Sequence, residues 1–246
     1  MEVELQRNSF KNLNVFITGV SSGIGYAVAK AYDSRGAKVF GVDINKVKML
    51  NNFSNKFKFF DCEVQNYQKM KNIVNKIVKK HKNIDVLINC AGIIDFKSIE
   101  NKKINFWKKI IEVNLTGTFI SCKIIAPLMK KNNKGSIINV SSRAAKIGGL
   151  NETAYCASKF GVEGLSRSLY EECKTFNIFV NTITPGTPIK TAMSKKTYTN
   201  EKKKIWKDPE IISPAFLHLG IQNIKGINNK YINAFNLSKK VRSKYL

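Results

Sequence analysis

The chain has 246 residues, 43% of them hydrophobic, with 42 Lys+Arg against 17 Asp+Glu and a formal net charge of +25. This length fits one domain with a full core, and no stretch approaches the roughly 18 uninterrupted apolar residues of a membrane span. Five scattered cysteines without a CxxC pair, and only two histidines (His81, His218), argue against a zinc site and for reduced thiols in a cytoplasmic protein. The polar first twelve residues lack the apolar core of a secretory leader. Nearly all of the positive charge is lysine, with arginine only at positions 7, 35, 143, 167 and 242. Nucleic-acid readers favour the planar arginine fork. The lysines also accompany abundant asparagine and isoleucine, so they read as a solvated surface rather than a nucleic-acid footprint. Attraction of an anionic substrate fits either reading.

Short apolar runs alternate with amphipathic stretches, the pattern of a parallel sheet covered on both faces by helices. Residues 14–18 read as a first buried strand. A helix over 23–35 follows, with Ile24, Ala27, Val28, Ala31 and Tyr32 on one face and Gly36 as its stop. Strands are expected at 39–42, ending on Asp43, at 57–60 and at 86–89. Between the last two, Met70, Ile73, Val74, Ile77 and Val78 recur at helical spacing. A long helix is expected over 106–129, kinked or broken late by Pro127. A strand at 136–140, a helix at 155–176 and a strand at 178–183 complete the regular part. Beyond Pro185 the pattern weakens: residues 208–219 read as partly helical, and 228–235 as a final strand. The fold expected is one doubly wound, Rossmann-like α/β domain.

Three groups of residues carry chemistry. Thr18-Gly19-Val20-Ser21-Ser22-Gly23-Ile24-Gly25 lies between a strand and a helix. Its glycines permit a tight turn and close approach of a ligand, and the helix start offers free amides to a pyrophosphate. Asp43, at the end of the next strand, can accept from both hydroxyls of an adenosine ribose and would repel a 2′-phosphate, which favours NAD over NADP. Lys46 and Lys48 nearby leave NADP as the alternative. Tyr155 and Lys159 stand at i and i+4 on one helix face. There an ammonium is expected to bring the tyrosine pKa down toward working pH. Ser142, thirteen residues before Tyr155, can donate a hydrogen bond to a carbonyl oxygen.

Over residues 13–193 these blocks, with Asn89-Cys90-Ala91-Gly92 and Asn114 in Val113-Asn114-Leu115, resemble the short-chain dehydrogenase/reductase family. The resemblance implies hydride transfer between a nicotinamide cofactor and an alcohol or carbonyl carbon. In it Tyr155 exchanges the proton, Ser142 orients the carbonyl, Lys159 holds the nicotinamide ribose and Asn114 supports a water relay. It also implies a cofactor site built from Gly19, Ser21, Ser22, Gly23, Ile24, Gly25, Asp43, Glu63, Val64, Asn89, Ala91, Gly92, Pro185, Gly186 and Thr191, and assembly as a homo-oligomer, commonly a tetramer. Ser22 stands where NADP-preferring relatives often carry a basic residue.

Several positions depart from the family pattern. Cys90 replaces the second asparagine of its block, and Glu63-Val64 replaces Asp-Val. Thr191, expected at the nicotinamide carboxamide, lies one residue further from Pro185-Gly186 than usual. Residues 195–207, with Tyr198 and Trp206, fall where relatives place a substrate lid; the alternative is a charged loop with Trp206 packed on the core. Arg143 reads either as a contact for an anionic substrate or as a surface arginine. A rival from another class is an idle fold serving as a binding or regulatory module. The retention of Ser142, Tyr155, Lys159 and Asn114 together argues against it.

Overall fold

The computed structural model describes residues 10–47, 50–222 and 226–245, so Lys48 lies outside the described residues. Seven strands form one parallel sheet in the order β3-β2-β1-β4-β5-β6-β7. They are β1 (Asn14–Thr18), β2 (Lys38–Asp43), β3 (Phe57–Asp61), β4 (Val86–Asn89), β5 (Gly135–Val140), β6 (Ile178–Thr184) and β7 (Tyr231–Asn233). The inner strands are buried on both faces, as parallel strands under helical cover must be. Side chains alternate across β1: Val15 and Ile17 enter one core, Phe16 the other.

The first core is roofed by α1 (Gly23–Asp33), α8 (Ser213–Gly220) and α9 (Ala234–Val241); the second by α2 (Tyr67–His81), α4 (Gly117–Lys131) and α5 (Thr153–Cys173). Tyr32 joins α1 to α8, its hydroxyl donating to the Phe216 carbonyl at 2.7 Å. The sheet reverses its order between β1 and β4, and a doubly wound fold opens its ligand crevice at the strand ends there. That is where the glycine loop and the Asn89–Gly92 block lie side by side.

The helix expected over 106–129 spans Ile104–Lys131 and changes character midway. α3 (Ile104–Ile111) passes through a π-helical turn (Glu112–Thr116) into α4, which runs through Pro127 to Lys131. The irregularity therefore sits at Asn114, not at Pro127. This run is long and apolar enough to cross a membrane by length and composition, and half of its most apolar stretch is buried in the domain. The C-terminal part also differs from expectation. Only Tyr231–Asn233 pairs as a strand, and residues 234–235 already begin α9. Two short helices, α6 (Ala192–Thr197) and α7 (Asn200–Lys204), occupy the region read as a lid.

Candidate active site

The glycine loop owes its shape to residues without a Cβ. Gly19 and Gly23 have φ of +76° and +58°, and a Cβ on Gly19 would stand 2.8 Å from Ala91 backbone atoms. A Cβ on Gly25 would overlap the Gly19 carbonyl. The Thr18 hydroxyl then draws the two loops together, accepting from the amides of Cys90 (3.1 Å) and Ala91 (3.2 Å). At the start of α1, Ser22 sits at the N-cap without a capping side-chain bond, and no acidic residue occupies the first turn. Unsatisfied amides and the positive end of the helix suit an anion such as a dinucleotide pyrophosphate. These observations fit the nicotinamide cofactor that the loop implies.

Asp43 ends β2 beside this loop. One carboxylate oxygen accepts from the Ser21 amide and the other from the Asn45 amide, both at 3.0 Å. The Ser21 hydroxyl in turn bonds the Asn45 carbonyl. Asp43 thus shapes the pocket wall as well as charging it. Val64 is buried against Gly117, whereas Glu63 is exposed with its carboxylate on Gln65. The Asn89 side chain does not face the crevice: it donates to Asn139 at 2.8 Å and braces β4 against β5. Ile93 completes the wall, locked to Asn114 by two bonds of 2.8 and 2.9 Å.

Ser142, Tyr155 and Lys159 converge at the end of β5. Ser142 caps the short 3-10 turn Arg143–Ala145, its Oγ accepting from the Ala144 amide at 3.2 Å. Its hydroxyl also hydrogen-bonds the Tyr155 side chain. Lys159, buried on α5, donates from Nζ to the Val140 carbonyl at 2.8 Å and lies 5.7 Å from the Tyr155 ring centre. Asn114 is fully buried in the π-helical turn, and its amide also donates to Ser158 at 3.0 Å. Its main-chain carbonyl accepts from the Thr118 hydroxyl at 2.8 Å.

The electrostatics reverse one expectation. Burial pushes the Tyr155 hydroxyl up to about 12, the Ser142 side chain opposing and Glu152 and Tyr198 adding to the rise. Burial likewise holds Lys159 down to about 8, against the pull of Cys90 and Glu163. Desolvation disfavours the charged form of each, so Tyr155 is shifted upward where the Tyr-x-x-x-Lys spacing leads one to expect a downward shift. Cys90, pushed up to about 12 by its own burial, remains a neutral packing thiol.

The C-terminal part closes the remaining side. Gly186 has φ of +74° and no room for a Cβ beside Asn233, which fixes Pro185-Gly186 against β7. The stretch before Thr191 pairs with the end of the 195–207 segment: Lys207 donates to Pro188 and Lys190 donates to Lys207, each at 2.8 Å. Thr191 remains next to the glycine loop, its Cγ2 3.0 Å from where a Cβ of Gly23 would stand, and caps α6 through a reciprocal box with Ser194. Trp206 is half-buried outside the two cores, and Arg143 is exposed.

Residues 13–202 match the family model described as short chain dehydrogenase. The chain is 37% identical over 186 residues to the 3-oxoacyl-[acyl-carrier-protein] reductase of Thermotoga maritima, covering 73% of this chain and 75% of that one. The chain belongs to the short chain dehydrogenase family. Ligand-free aldohexose dehydrogenase of Thermoplasma acidophilum superimposes with a TM-score of 0.81 at 26% identity, over 93% of this chain and 95% of that one. A structure of ElxO with NADP bound shares the fold with a TM-score of 0.82 at 24% identity, over 90% and 96%. As a short chain dehydrogenase, the protein is an NAD(P)-dependent oxidoreductase acting on CH–OH and C=O groups.

Two residues of this site escaped the sequence reading. Ser158 lies inside Tyr-Cys-Ala-Ser-Lys, so its place beside Asn114 had a local signal. Tyr231 had none: its hydroxyl donates to the Ser142 carbonyl at 3.0 Å from a position 89 residues away. Among the described residues no cluster of His, Cys, Asp and Glu is arranged to hold a metal ion.

Proposed function

We propose an NAD(H)-linked alcohol dehydrogenase or ketone reductase for a small or medium polar substrate. The observation that carries this reading is the convergence of Ser142, Tyr155 and Lys159 beside a glycine loop whose neighbouring strand ends in Asp43. The nicotinamide ring, when bound, supplies or accepts the hydride. Ser142 turns its hydroxyl hydrogen from Tyr155 to the substrate oxygen when substrate is bound. Tyr155, protonated at neutral pH, gives its proton to that oxygen in the reductive direction. Lys159 keeps two N–H donors beyond the one on Val140 and turns them to the nicotinamide ribose. The Asn114 carbonyl supports the water chain that returns a proton.

The charge on Asp43 supports NAD over NADP, and Ser22, uncharged in the loop, agrees with it. Fluorescence titration with NADH and NADPH, for wild type and Asp43→Asn, tests this choice. Wild type is expected to bind NADH more tightly, and the variant to lose about tenfold of that preference, roughly the worth of a charge-assisted hydrogen bond. Preference of wild type for NADPH would reassign the cofactor to NADP; binding of neither would favour the idle-fold reading.

Phe106, Phe119 and Phe160 stand exposed on α3, α4 and α5, which supports self-association through these helices. The five free cysteines are in keeping with a reducing, cytoplasmic setting.

A further inference from the structure

Two buried, formally charged side chains lie one helical turn apart on α5: Lys159, 5% exposed, and Glu163, 7% exposed. Positions i and i+4 share a helix face. Neither has an ion-pair partner within 4.0 Å among the described residues. Lys102, whose side chain is also buried, does have one, Asp95 at 3.3 Å. One carboxylate oxygen of Glu163, Oε2, accepts from the Thr182 hydroxyl of β6 at 3.0 Å, while Oε1 is buried with no hydrogen-bond partner. An isolated buried charge is costly, and so is an unsatisfied buried oxygen. The two opposite charges lie on one helix face without touching, and the carboxylate acts on the ammonium through the intervening space.

The surroundings leave little competition. Lys159 faces the neutral Cys90 thiol from the loop after β4, the Val140 carbonyl from β5, and Tyr155 on its own helix. Glu163 meets Thr182 from β6 and acts electrostatically on Tyr231 of β7, beyond which stand Arg143 and Lys146. Among the described residues, Glu163 is thus the carboxylate that acts on Lys159 from within the core.

We propose that Glu163 is the counter-charge of Lys159, a positioning residue that keeps the ammonium charged in its buried place behind Tyr155. The proposal rests on the cofactor role given to Lys159 above. It does not require Glu163 to touch substrate or cofactor. Among the described residues, the carboxylate acts across the gap between two successive turns, anchored on its far side by Thr182.

The test is NADH affinity across pH 6 to 10, by fluorescence titration, in wild type, Glu163→Gln and Thr182→Val. Wild-type affinity should weaken as Lys159 gives up its proton near pH 8. Without the carboxylate, the midpoint should fall by about one pH unit, a tenfold change in the protonated fraction on the alkaline side. Thr182→Val removes the hydrogen bond but keeps the charge, so its midpoint should stay with wild type. An unmoved midpoint in Glu163→Gln, or an equal shift in Thr182→Val, overturns the proposal. If Glu163→Gln does not fold, Glu163→Asp decides: withdrawing the carboxylate by one methylene should lower the midpoint by less, and no shift overturns. Failure of wild type to bind NADH would instead strike the cofactor reading on which this one stands.

Discussion

Thr18, Asn89 and Val140 reach the crevice as ends of parallel strands, each held by neighbours in the sheet. Gly186 and Thr191 reach the same crevice from loops, through a close contact with Asn233 and a capping box, and Tyr231 reaches it from the three-residue edge strand β7. The first region places its groups by cooperative backbone pairing, so an error at one residue is resisted by the rest. The second has only a short edge strand and a few backbone pairs, so each side-chain bond carries more of the placement.

The largest effect should come from the rigid region. Tyr155→Phe removes only the hydroxyl and leaves α5 packed, so catalysis should fall about 10³-fold while NADH affinity stays within about twofold. Steady-state kinetics alongside fluorescence titration checks this. A variant that retains activity would remove Tyr155 from proton transfer and shift attention to Tyr198 on the lid.

Lys159→Met probes the same region through stability. The folded value of about 8 lies below the ordinary 10.5. Between those values the unfolded chain binds more protons, so this group's cost to folding is full below pH 8 and is relieved as pH rises. Wild type should therefore gain on Lys159→Met by about 2 kcal/mol between roughly pH 7.5 and 9.5. Urea unfolding of both proteins at the two pH values gives the difference. A constant difference would mean that the ammonium is better solvated than its burial implies.

The same contrast governs what could be read from sequence. The alternation of elements, the glycine loop and the Tyr155–Lys159 pair are local patterns, and each lies in the region built by local pairing. Asn89 was legible as a member of the block but not in direction: its side chain turns to Asn139, fifty positions away. The π-helical turn at Asn114 also needed the structure, because it depends on Ile93 and Ser158 meeting there. The sign of the Tyr155 shift was missed because helical spacing reports the neighbouring ammonium and says nothing of burial. The short β7, α6 and α7 gave weak signals, being too brief for their periodicity to show.

Tyr231→Phe sharpens the comparison with the smallest expected effect. Its hydroxyl donates to the Ser142 carbonyl and also bonds the Thr184 side chain, and the tie to Ser142 is one neutral hydrogen bond at a half-buried position, worth about 1 kcal/mol. The ring stays, and with it the contact of Lys146 at 4.7 Å, so β7 should keep its place. Ser142 would lose one restraint of its 3-10 turn while Ala144 still holds the Oγ. The rate constant should fall about fivefold with KM and NADH affinity unchanged, as expected when orientation rather than binding is lost. A loss approaching that of Tyr155→Phe would show that the divergent C-terminal segment shares in the chemistry as an equal. An unchanged rate would show instead that the strand end and its turn place Ser142 unaided.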